Sequence, residues 1–118
     1  MRNNKYGTAE PSMRTMDGIL FDSRAEMIRY IHLRLLERAG KIRYLERQVP
    51  YQLTTAFSNP TYGKIRAIVY RADFRYLETA TNRIIVEDVK GAVTDVYRIK
   101  RTLLLWRYPE INFVEVPA

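Results

Sequence analysis

The sequence predicts a mixed α/β domain with helices packed against one central mixed sheet, and two observations support that fold class. Helical and strand patterns follow one another in the order helix, three strands, helix, strand, and the three strands can form an antiparallel meander. The chain has 118 residues, of which 47 % are hydrophobic, so it can bury one modest core but not two. We therefore predict a single domain over residues 17–118, preceded by an arm over residues 1–16.

The first 16 residues show no hydrophobic period and include Gly7, Pro11 and several polar side chains. This composition predicts a flexible or loosely tethered arm. The segment has no hydrophobic stretch of the signal-peptide type, which favours a cytoplasmic protein. The apolar run GILF at 18–21 then predicts a short strand.

A helix is predicted to begin after Ser23. This residue stands at an N-cap position with Glu26 three residues later, which is the pattern of a capping box, and Gly40 ends the run. The apolar positions that should face the core are Ile28, Ile31, Leu35 and Ala39.

Three strands are predicted between the helices. Residues 42–55 read as one strand that Pro50 interrupts or places at an edge, and residues 57–64 form a cluster typical of turns. Residues 65–77 and 83–91 are rich in β-branched and aromatic side chains and predict the second and third strands, joined by the polar loop 78–82.

The second helix is predicted over residues 95–108, with Thr94 as its cap and Pro109 after its end. Apolar residues recur at spacings of three, four and three, at Val96, Ile99, Leu103 and Trp106. A final strand is predicted over residues 111–116.

The charge of the chain points to a polyanionic partner. The formal net charge is +7 and the pI is near 9.9, which favours nucleic acid through attraction and counterion release, although a basic surface can also serve solubility. There is no cysteine, and His32 is the one histidine, so a bound metal would need oxygen ligands. Magnesium, manganese and calcium are the metals that fit. No apolar run is long enough to span a membrane.

Two acids and a lysine fall at one place in the predicted sheet. Alternation along the third strand puts Asp88 and Lys90 on one face, about 7 Å apart, and Glu87 and Val89 on the other. A meander can bring Asp73 of the second strand beside Asp88. Two adjacent carboxylates repel each other, and a divalent cation between them would relieve the repulsion. This pattern favours metal-assisted phosphodiester hydrolysis with Lys90 near the attacking water.

The same residues have a purely structural explanation. Asp88 and Lys90 can form an ion pair on a solvated face, with Asp73 paired to Arg71 or Arg75. The sequence alone leaves both interpretations open.

The arrangement resembles the PD-(D/E)xK nuclease superfamily, which has a restriction-endonuclease-like core, over residues 17–116. More narrowly, the chain is similar to short phage-encoded nucleases grouped with Holliday-junction-resolving enzymes of the endonuclease I type. The segments that carry this likeness are KYG, FDSRAE, LERQ, YRADFRY, VEDVKG and TDVYRIKRTLLLWRYP.

The resemblance implies a role for each residue that matches a motif of the superfamily. Asp73 matches the first acid, and Asp88 and Lys90 match the acid and lysine of (D/E)xK. Glu26 matches an acid that many of these nucleases supply from the first helix. The Val89 backbone carbonyl would be a further metal ligand.

Some positions depart from the pattern or admit another role. Ala72 stands before Asp73 where proline is usual, and an Asp replaces the commoner Glu of (D/E)xK. Glu87 is a rival ligand if a bulge changes the facing of the strand. The capping box with Ser23 would also account for Glu26.

Several residues are candidates for nucleic-acid binding. The second helix is basic, and its start follows the D-x-K strand closely, so its side chains can reach a phosphate. A solvated helix face is the alternative. The candidates are Arg98, Lys100, Arg101, Tyr97 and Gln48, whereas His32 fits a structural role.

These observations and the resemblance predict a Mg²⁺-dependent (or Mn²⁺-dependent) endodeoxyribonuclease in which Asp73, Asp88, Lys90 and Glu26 are catalytic. The resemblance implies branched DNA as substrate, a part in phage recombination or replication in the host cytoplasm, and a homodimer with two sites. A DNA-binding accessory or packaging protein without catalysis, and a structural phage protein, remain as alternatives.

Overall fold

The computed structural model of the protein describes residues 8–118. In chain order its elements are a 3₁₀ turn (Pro11–Met13), β1 (Thr15–Met16), β2 (Ile19–Leu20), α1 (Arg24–Arg38), β3 (Ile42–Gln52), β4 (Phe57–Asn59), β5 (Gly63–Ile65), β6 (Val69–Glu78), β7 (Arg83–Lys90), α2 (Asp95–Arg107) and β8 (Asn112–Pro117).

A four-stranded mixed sheet forms the centre of the protein, in the strand order β3-β6-β7-β8. β3, β6 and β7 are an antiparallel meander, as the sequence predicts, and β8 runs parallel to β7. A parallel neighbour requires a crossover connection, and α2 provides it. The mixed α/β class with a central mixed sheet and helices is thus confirmed. Among the described residues, no helix is long and apolar enough to cross a membrane.

The first strand of the meander is irregular at a different place from the one predicted. β3 continues through Pro50, which lies opposite Arg71, because β3 is an edge strand and its proline can lack a ladder partner. The register instead shifts between Arg43 and Glu46, where Tyr44 has a φ of 60°. Of the two alternatives for Pro50, the edge position is confirmed and the interruption at Pro50 was wrong.

The predicted turn cluster at 57–64 forms most of a separate hairpin. β4 and β5 pair with each other, and Asn59 Oδ1 accepts hydrogen bonds from the backbone N–H groups of Thr61 and Tyr62 at 2.8 and 3.0 Å. Gly63 completes the turn with a φ of 73°, a conformation that glycine adopts without strain. The strand predicted from residue 65 therefore begins only at Val69.

The chain before α1 folds onto itself within its described part. Residues 11–16 of the predicted arm form the 3₁₀ turn and β1, and β1 pairs with β2 in the predicted GILF segment. The predictions for residues 1–7 lie outside the described residues.

Both predicted helix caps are present. Ser23 Oγ accepts a hydrogen bond from the Glu26 N–H, and Thr94 Oγ1 accepts one from the Tyr97 N–H, each at 3.1 Å.

The helix faces turned to the core differ from the prediction. α1 buries Glu26, Tyr30 and Leu33, and α2 buries Tyr97 and Leu104. Among the recurring apolar positions of the two helices, Ile31 and Leu103 are half-buried, and the others are exposed: Ile28, Leu35, Ala39, Val96, Ile99 and Trp106. Tyrosines replace aliphatic residues in these faces because the ring packs in the core while its hydroxyl reaches a carboxylate.

The hydrophobic core consists of two clusters, each formed by one helix and the sheet residues beneath it. Tyr97 and Leu104 of α2 belong to the first, and Tyr30 and Leu33 of α1 belong to the second. β6 contributes to both, with Tyr70 and Ala72 in the first and Phe74 and Tyr76 in the second. Asp73 stands where the strand passes from one cluster to the other.

Candidate metal centre

The pairing of β6 with β7 brings Asp73 and Asp88 together. The ladder pairs Phe74 with Glu87, and the next step of the same register places Asp73 opposite Asp88. The Asp73 carboxylate is held toward β7, because its Oδ2 accepts a hydrogen bond of 2.7 Å from the Val89 N–H. Asp88 is buried and Asp73 is half-buried. Two acids therefore share one poorly solvated place in the sheet.

The environment disfavours a negative charge on Asp73. Burial and the charge of the neighbouring Asp88 raise the pKa of this carboxyl to about 6, against the lowering effects of the Val89 N–H bond and of Lys90. A positive ion beside the pair would remove this penalty.

Lys90 lies beside Asp88 on the same face. Its Nζ is 2.9 Å from Asp88 Oδ2, and it lies 4.1 Å from the ring centroid of Tyr97. The contact with Asp88 is close enough for an ion pair but lacks hydrogen-bond geometry, so Asp88 Oδ2 remains a buried oxygen without a hydrogen-bond partner. We regard the pairing as electrostatic, because distance alone sets the attraction between the two charges.

Tyr70 places a second buried oxygen beside Asp88. Burial raises the pKa of the Tyr70 hydroxyl, and its contact with the Asp88 carboxylate raises the pKa further. The contact lacks regular hydrogen-bond geometry. Buried polar atoms are normally satisfied, and each exception needs an explanation such as an unoccupied ion or water position. The oxygens of Asp88 and Tyr70 are therefore candidate ligands for a cation, although Lys90 Nζ already lies 2.9 Å from Asp88 Oδ2.

Glu26 approaches the pair from α1. It is buried, accepts a hydrogen bond of 3.1 Å from Gln48 Nε2, and lies 3.8 Å from an Arg47 nitrogen. Burial raises the pKa of Glu26 to about 7, and the charge of Asp73 contributes to this shift. Its carboxylate is therefore engaged with β3, although its backbone N–H is bonded to Ser23.

The three candidate acids do not converge on one point. Within residues 8–118 there is no group of three or more histidine or acidic side chains that could together hold an ion. Asp73 and Asp88 form the close pair. The charge of Asp73 raises the pKa of Glu26, but the Glu26 carboxylate is hydrogen-bonded to Gln48. Mg²⁺ is commonly held by one or two carboxylates with water completing its shell, and Asp73 and Asp88 are the two carboxylates that lie together here.

Glu87, the rival ligand, belongs to the other face of the sheet. Arg29 of α1 donates to both of its oxygens, at 2.8 Å to Oε1 and 2.6 Å to Oε2, and the Tyr76 hydroxyl donates to Oε2. The carboxylate is buried and already neutralised. Neither Arg29 nor Tyr76 was a candidate in the sequence, because no local pattern signals contacts between residues that are 58 and 11 positions apart.

Some of the candidate nucleic-acid-binding side chains already donate hydrogen bonds to carboxylates of the protein, and others do not. Tyr97 and Arg101 both donate to Glu115, at 2.7 and 2.8 Å, and Gln48 donates to Glu26. Burial and the bond to Glu115 raise the pKa of Tyr97. Arg98 is exposed with a loose contact of 3.6 Å to Asp95, and Lys100 is half-buried. His32 is exposed on α1.

The hairpin of β4 and β5 presents further candidates that sequence reasoning missed. Tyr62, Lys64 and Arg66 are all exposed on or next to it. An aromatic ring with basic neighbours is the combination that binds unpaired bases and phosphates. These aromatic and basic residues were visible in the sequence, but residues 57–64 were interpreted only as a turn.

Comparisons with known proteins add one finding. A family model described as "Protein of unknown function (DUF1064)" matches residues 4–116. The comparisons with curated proteins and with solved structures gave no match.

Proposed function

The chain belongs to the DUF1064 family of unknown function, and we propose that it is a divalent-metal-dependent endonuclease that hydrolyses phosphodiester bonds in DNA. The observation that carries the proposal is the pair Asp73 and Asp88 with Lys90 beside it. The pair is poorly solvated, it leaves a buried carboxylate oxygen without a hydrogen bond, and it belongs to a chain of net charge +7. A bound cation would compensate the buried acidic pair, and a polyanion such as DNA would be attracted by the net positive charge.

The donors present fit Mg²⁺ or Mn²⁺. Asp73 and Asp88 would hold the ion, and the Val89 carbonyl is the further ligand that the resemblance implies. Glu26, whose pKa the charge of Asp73 raises, would act on the ion through a bound water. When bound, the ion supplies a Lewis acid that polarises the phosphoryl oxygen and lowers the pKa of a water. It also removes the repulsion within the acidic pair.

Lys90 is the residue that this site offers to the attacking water. Its ammonium group is kept near Asp88 by attraction and against Tyr97 by contact with the ring face. A cation held in that position orients a water toward a phosphate and offsets the charge that develops on the phosphoryl oxygens. The Tyr97 ring is fixed in turn by the bond of its hydroxyl to Glu115.

DNA would be bound by basic residues on two sides of the chain. Arg98 and Lys100 lie on α2, which follows the D-x-K strand after a short loop, and Lys64 and Arg66 lie at the β4–β5 hairpin. Contacts to phosphates position the duplex without reading sequence. Arg101, which is paired with Glu115, would contribute to the local potential more than to a direct contact.

The order of elements supports a restriction-endonuclease-like assignment for the fold. The helix, the meander, the second helix and the parallel strand follow the order of the PD-(D/E)xK core that the sequence resembles. On that resemblance the substrate is branched DNA of the four-way-junction type, in phage recombination or replication in the host cytoplasm.

A cleavage assay tests the proposal. Four-way junction, linear duplex and single-stranded DNA are each incubated with Mg²⁺, Mn²⁺ or EDTA, using the wild-type protein, Asp88→Asn and the control Glu110→Gln at an exposed acid in the turn between α2 and β8. We expect metal-dependent cutting that Asp88→Asn abolishes and Glu110→Gln retains. Preference for the junction would establish the substrate class. Binding to all three DNAs without cutting in any metal would contradict the proposal.

A second candidate function has one observation in its favour. Lys90 already neutralises Asp88, and the described residues lack a three-acid ligand group, so the pair can also be a structural remnant in a DNA-binding accessory protein. That alternative predicts equal DNA affinity for the wild-type protein and Asp88→Asn, with no effect of metal on either.

A further inference from the structure

The β4–β5 hairpin lies apart from the hydrophobic core. It is joined to the sheet at its base, where the Leu53 N–H donates to the Ile68 carbonyl at 2.8 Å and the Ile68 N–H donates to Thr54 Oγ1 at 2.9 Å. Beyond these bonds, β4 and β5 form a two-stranded sheet of their own. Within residues 8–118, neither core cluster includes a side chain from residues 57–65. Core packing therefore does not account for the side chains that the hairpin carries.

The charge of the hairpin and its base has one sign. Residues 48–72 contain no aspartate or glutamate, although the whole chain has 13 acidic residues. The same stretch carries Lys64, Arg66 and Arg71, which are all exposed. Among residues 8–118, none of these three cations takes part in a salt bridge. A stretch of unpaired cations attracts a polyanion, so the partner that fits it carries phosphates.

An aromatic side chain stands at the tip of the hairpin. Tyr62 is 79 % exposed and lies in the turn between β4 and β5. Its backbone N–H donates to Asn59 Oδ1 at 3.0 Å, so the turn is held in place while the ring faces solvent. Exposed rings beside cations are the combination that binds single strands, because a base stacks on the ring while the cations follow the backbone. Bases inside a duplex are already stacked, so such a ring selects unpaired ones.

The hairpin begins at the end of the sheet that holds the acidic pair. β6 starts at Val69, four residues before Asp73, which is about 13 Å along a strand. Because β7 runs antiparallel to β6, its last residues, with Asp88 and Lys90, lie at this same end. A strand with one phosphate at the acidic pair can thus continue past Arg71 to the hairpin.

We propose that the hairpin binds unpaired bases of a DNA strand, with the Tyr62 ring stacked on one base and Lys64, Arg66 and Arg71 bound to the phosphates. The choice of DNA rests on the proposed function, and the inference deepens that function by naming the part of the substrate that the hairpin holds. Three independent features carry it: the exposed ring at the tip, the stretch without acids, and the position beside the acidic pair.

Tryptophan emission tests the stacking directly. Trp106→Phe removes the one tryptophan of the chain, and Tyr62→Trp then places an emitter at the tip of the hairpin. In EDTA, which prevents metal-dependent cleavage, we expect a single-stranded oligonucleotide to quench this emission and a blunt duplex of the same sequence to leave it almost unchanged. The matched control is Tyr44→Trp in the same Trp106→Phe background, because Tyr44 is 69 % exposed at the other end of β3. Its emission should stay constant with either DNA.

Three results of this experiment would overturn the proposal. The first is no quenching by a single strand that binds. The second is equal quenching by the duplex, which would show that the ring does not select unpaired bases. The third is equal quenching of the control emitter.

Affinity and its salt dependence separate the ring from the cations. Tyr62→Ala should weaken single-strand binding at least about fivefold and leave the slope of log affinity against log salt unchanged. Lys64→Gln and Arg66→Gln should each reduce that slope by about 0.7, and Tyr44→Ala should change neither quantity. Thermal unfolding should give the wild-type Tm for the three hairpin variants, since these side chains lie outside both core clusters.

Failure of the hairpin and failure of the metal site give different results. Cleavage that Asp88→Asn abolishes, together with wild-type single-strand affinity in Tyr62→Ala, would overturn the role of the hairpin and leave the endonuclease intact. Quenching and loss of affinity in a protein that cuts no DNA would confirm the hairpin and contradict the endonuclease. Wild-type affinity in both Tyr62→Ala and the double variant Lys64→Gln/Arg66→Gln would overturn the proposal and assign the hairpin to a protein partner instead.

Discussion

Glu87 and Asp88 are adjacent in β7 and both buried, yet they serve opposite faces of the central sheet. Glu87 is held by two hydrogen bonds from Arg29 and one from Tyr76, so its charge is fully compensated. Asp88 faces Asp73 and has one oxygen without a hydrogen bond. Glu87 therefore stabilises the fold, whereas Asp88 lies between Asp73 and Lys90 and is the acid that would hold an ion in the proposed function.

The first prediction separates these two acids. Arg29→Met should lower the free energy of unfolding by about 3 kcal/mol, since it leaves the buried Glu87 without its cation. Glu87→Gln should cost stability but preserve the stabilisation that Mg²⁺ gives. Chemical denaturation of both variants with and without Mg²⁺ is the measurement. Loss of the Mg²⁺ effect in a folded Glu87→Gln would return this residue to the list of ligands.

The second prediction concerns Asp88 and the metal. At ten times its dissociation constant Mg²⁺ should add about 1.4 kcal/mol to the wild-type protein, which is roughly 5 °C in Tm for a domain of this size. Asp88→Asn should remove that gain. Without metal the same variant loses the ion pair with Lys90 but is relieved of the repulsion with Asp73, so we expect its stability to stay within about 1 kcal/mol of the wild-type value.

Thermal unfolding with Mg²⁺ or with EDTA checks this, and Glu110→Gln, at an exposed acid, should behave as the wild-type protein does. If Asp88→Asn kept the full Mg²⁺ gain, the ion would not bind at this pair.

The third prediction isolates Lys90. Lys90→Met keeps the length of the side chain and its contact with the Tyr97 ring, but removes the charge 2.9 Å from Asp88 Oδ2. We expect metal-free stability to fall by about 1–3 kcal/mol, Mg²⁺ to bind at least as tightly as before, and cleavage to be lost. Single-turnover cleavage beside a Mg²⁺ thermal-shift titration measures both effects. Cleavage at the wild-type rate would exclude Lys90 from the reaction.

The sequence could predict the elements that depend on local chemistry. Ser23 and Thr94 cap their helices as expected because a cap is a contact within three residues. The meander also followed from alternation and turn residues. The outward faces of the helices could not be predicted, since hydrophobic periodicity identifies an apolar face without saying what covers it. In α2 the row Val96, Ile99, Trp106 is apolar but exposed.

The site was predictable only in part for the same reason. Asp88 and Lys90 are two positions apart, so alternation alone puts them on one face. The hydrogen bond from Gln48 to Glu26 connects residues 22 positions apart. Gln48 also has a φ of 51°, a left-handed conformation inside β3 that no sequence pattern predicts. The contact of Arg29 with Glu87 spans a still larger separation.

The last prediction is the pH dependence of stability without metal. Burial raises the pKa of Glu26 from 4.5 to about 7, and burial with the charge of Asp88 raises that of Asp73 from 3.8 to about 6. An acid with a raised pKa binds its proton more tightly in the folded state than in the unfolded state, so stability falls as the pH rises between the two values. In EDTA we therefore expect the free energy of unfolding to decrease from about pH 4 to about pH 7. Glu26→Gln should flatten the upper half of this decrease, between the two folded-state values, whereas Glu110→Gln should keep it. Denaturation at half-unit pH steps gives the three curves, and a wild-type stability that rises over this range would show that neither acid is held protonated in the fold.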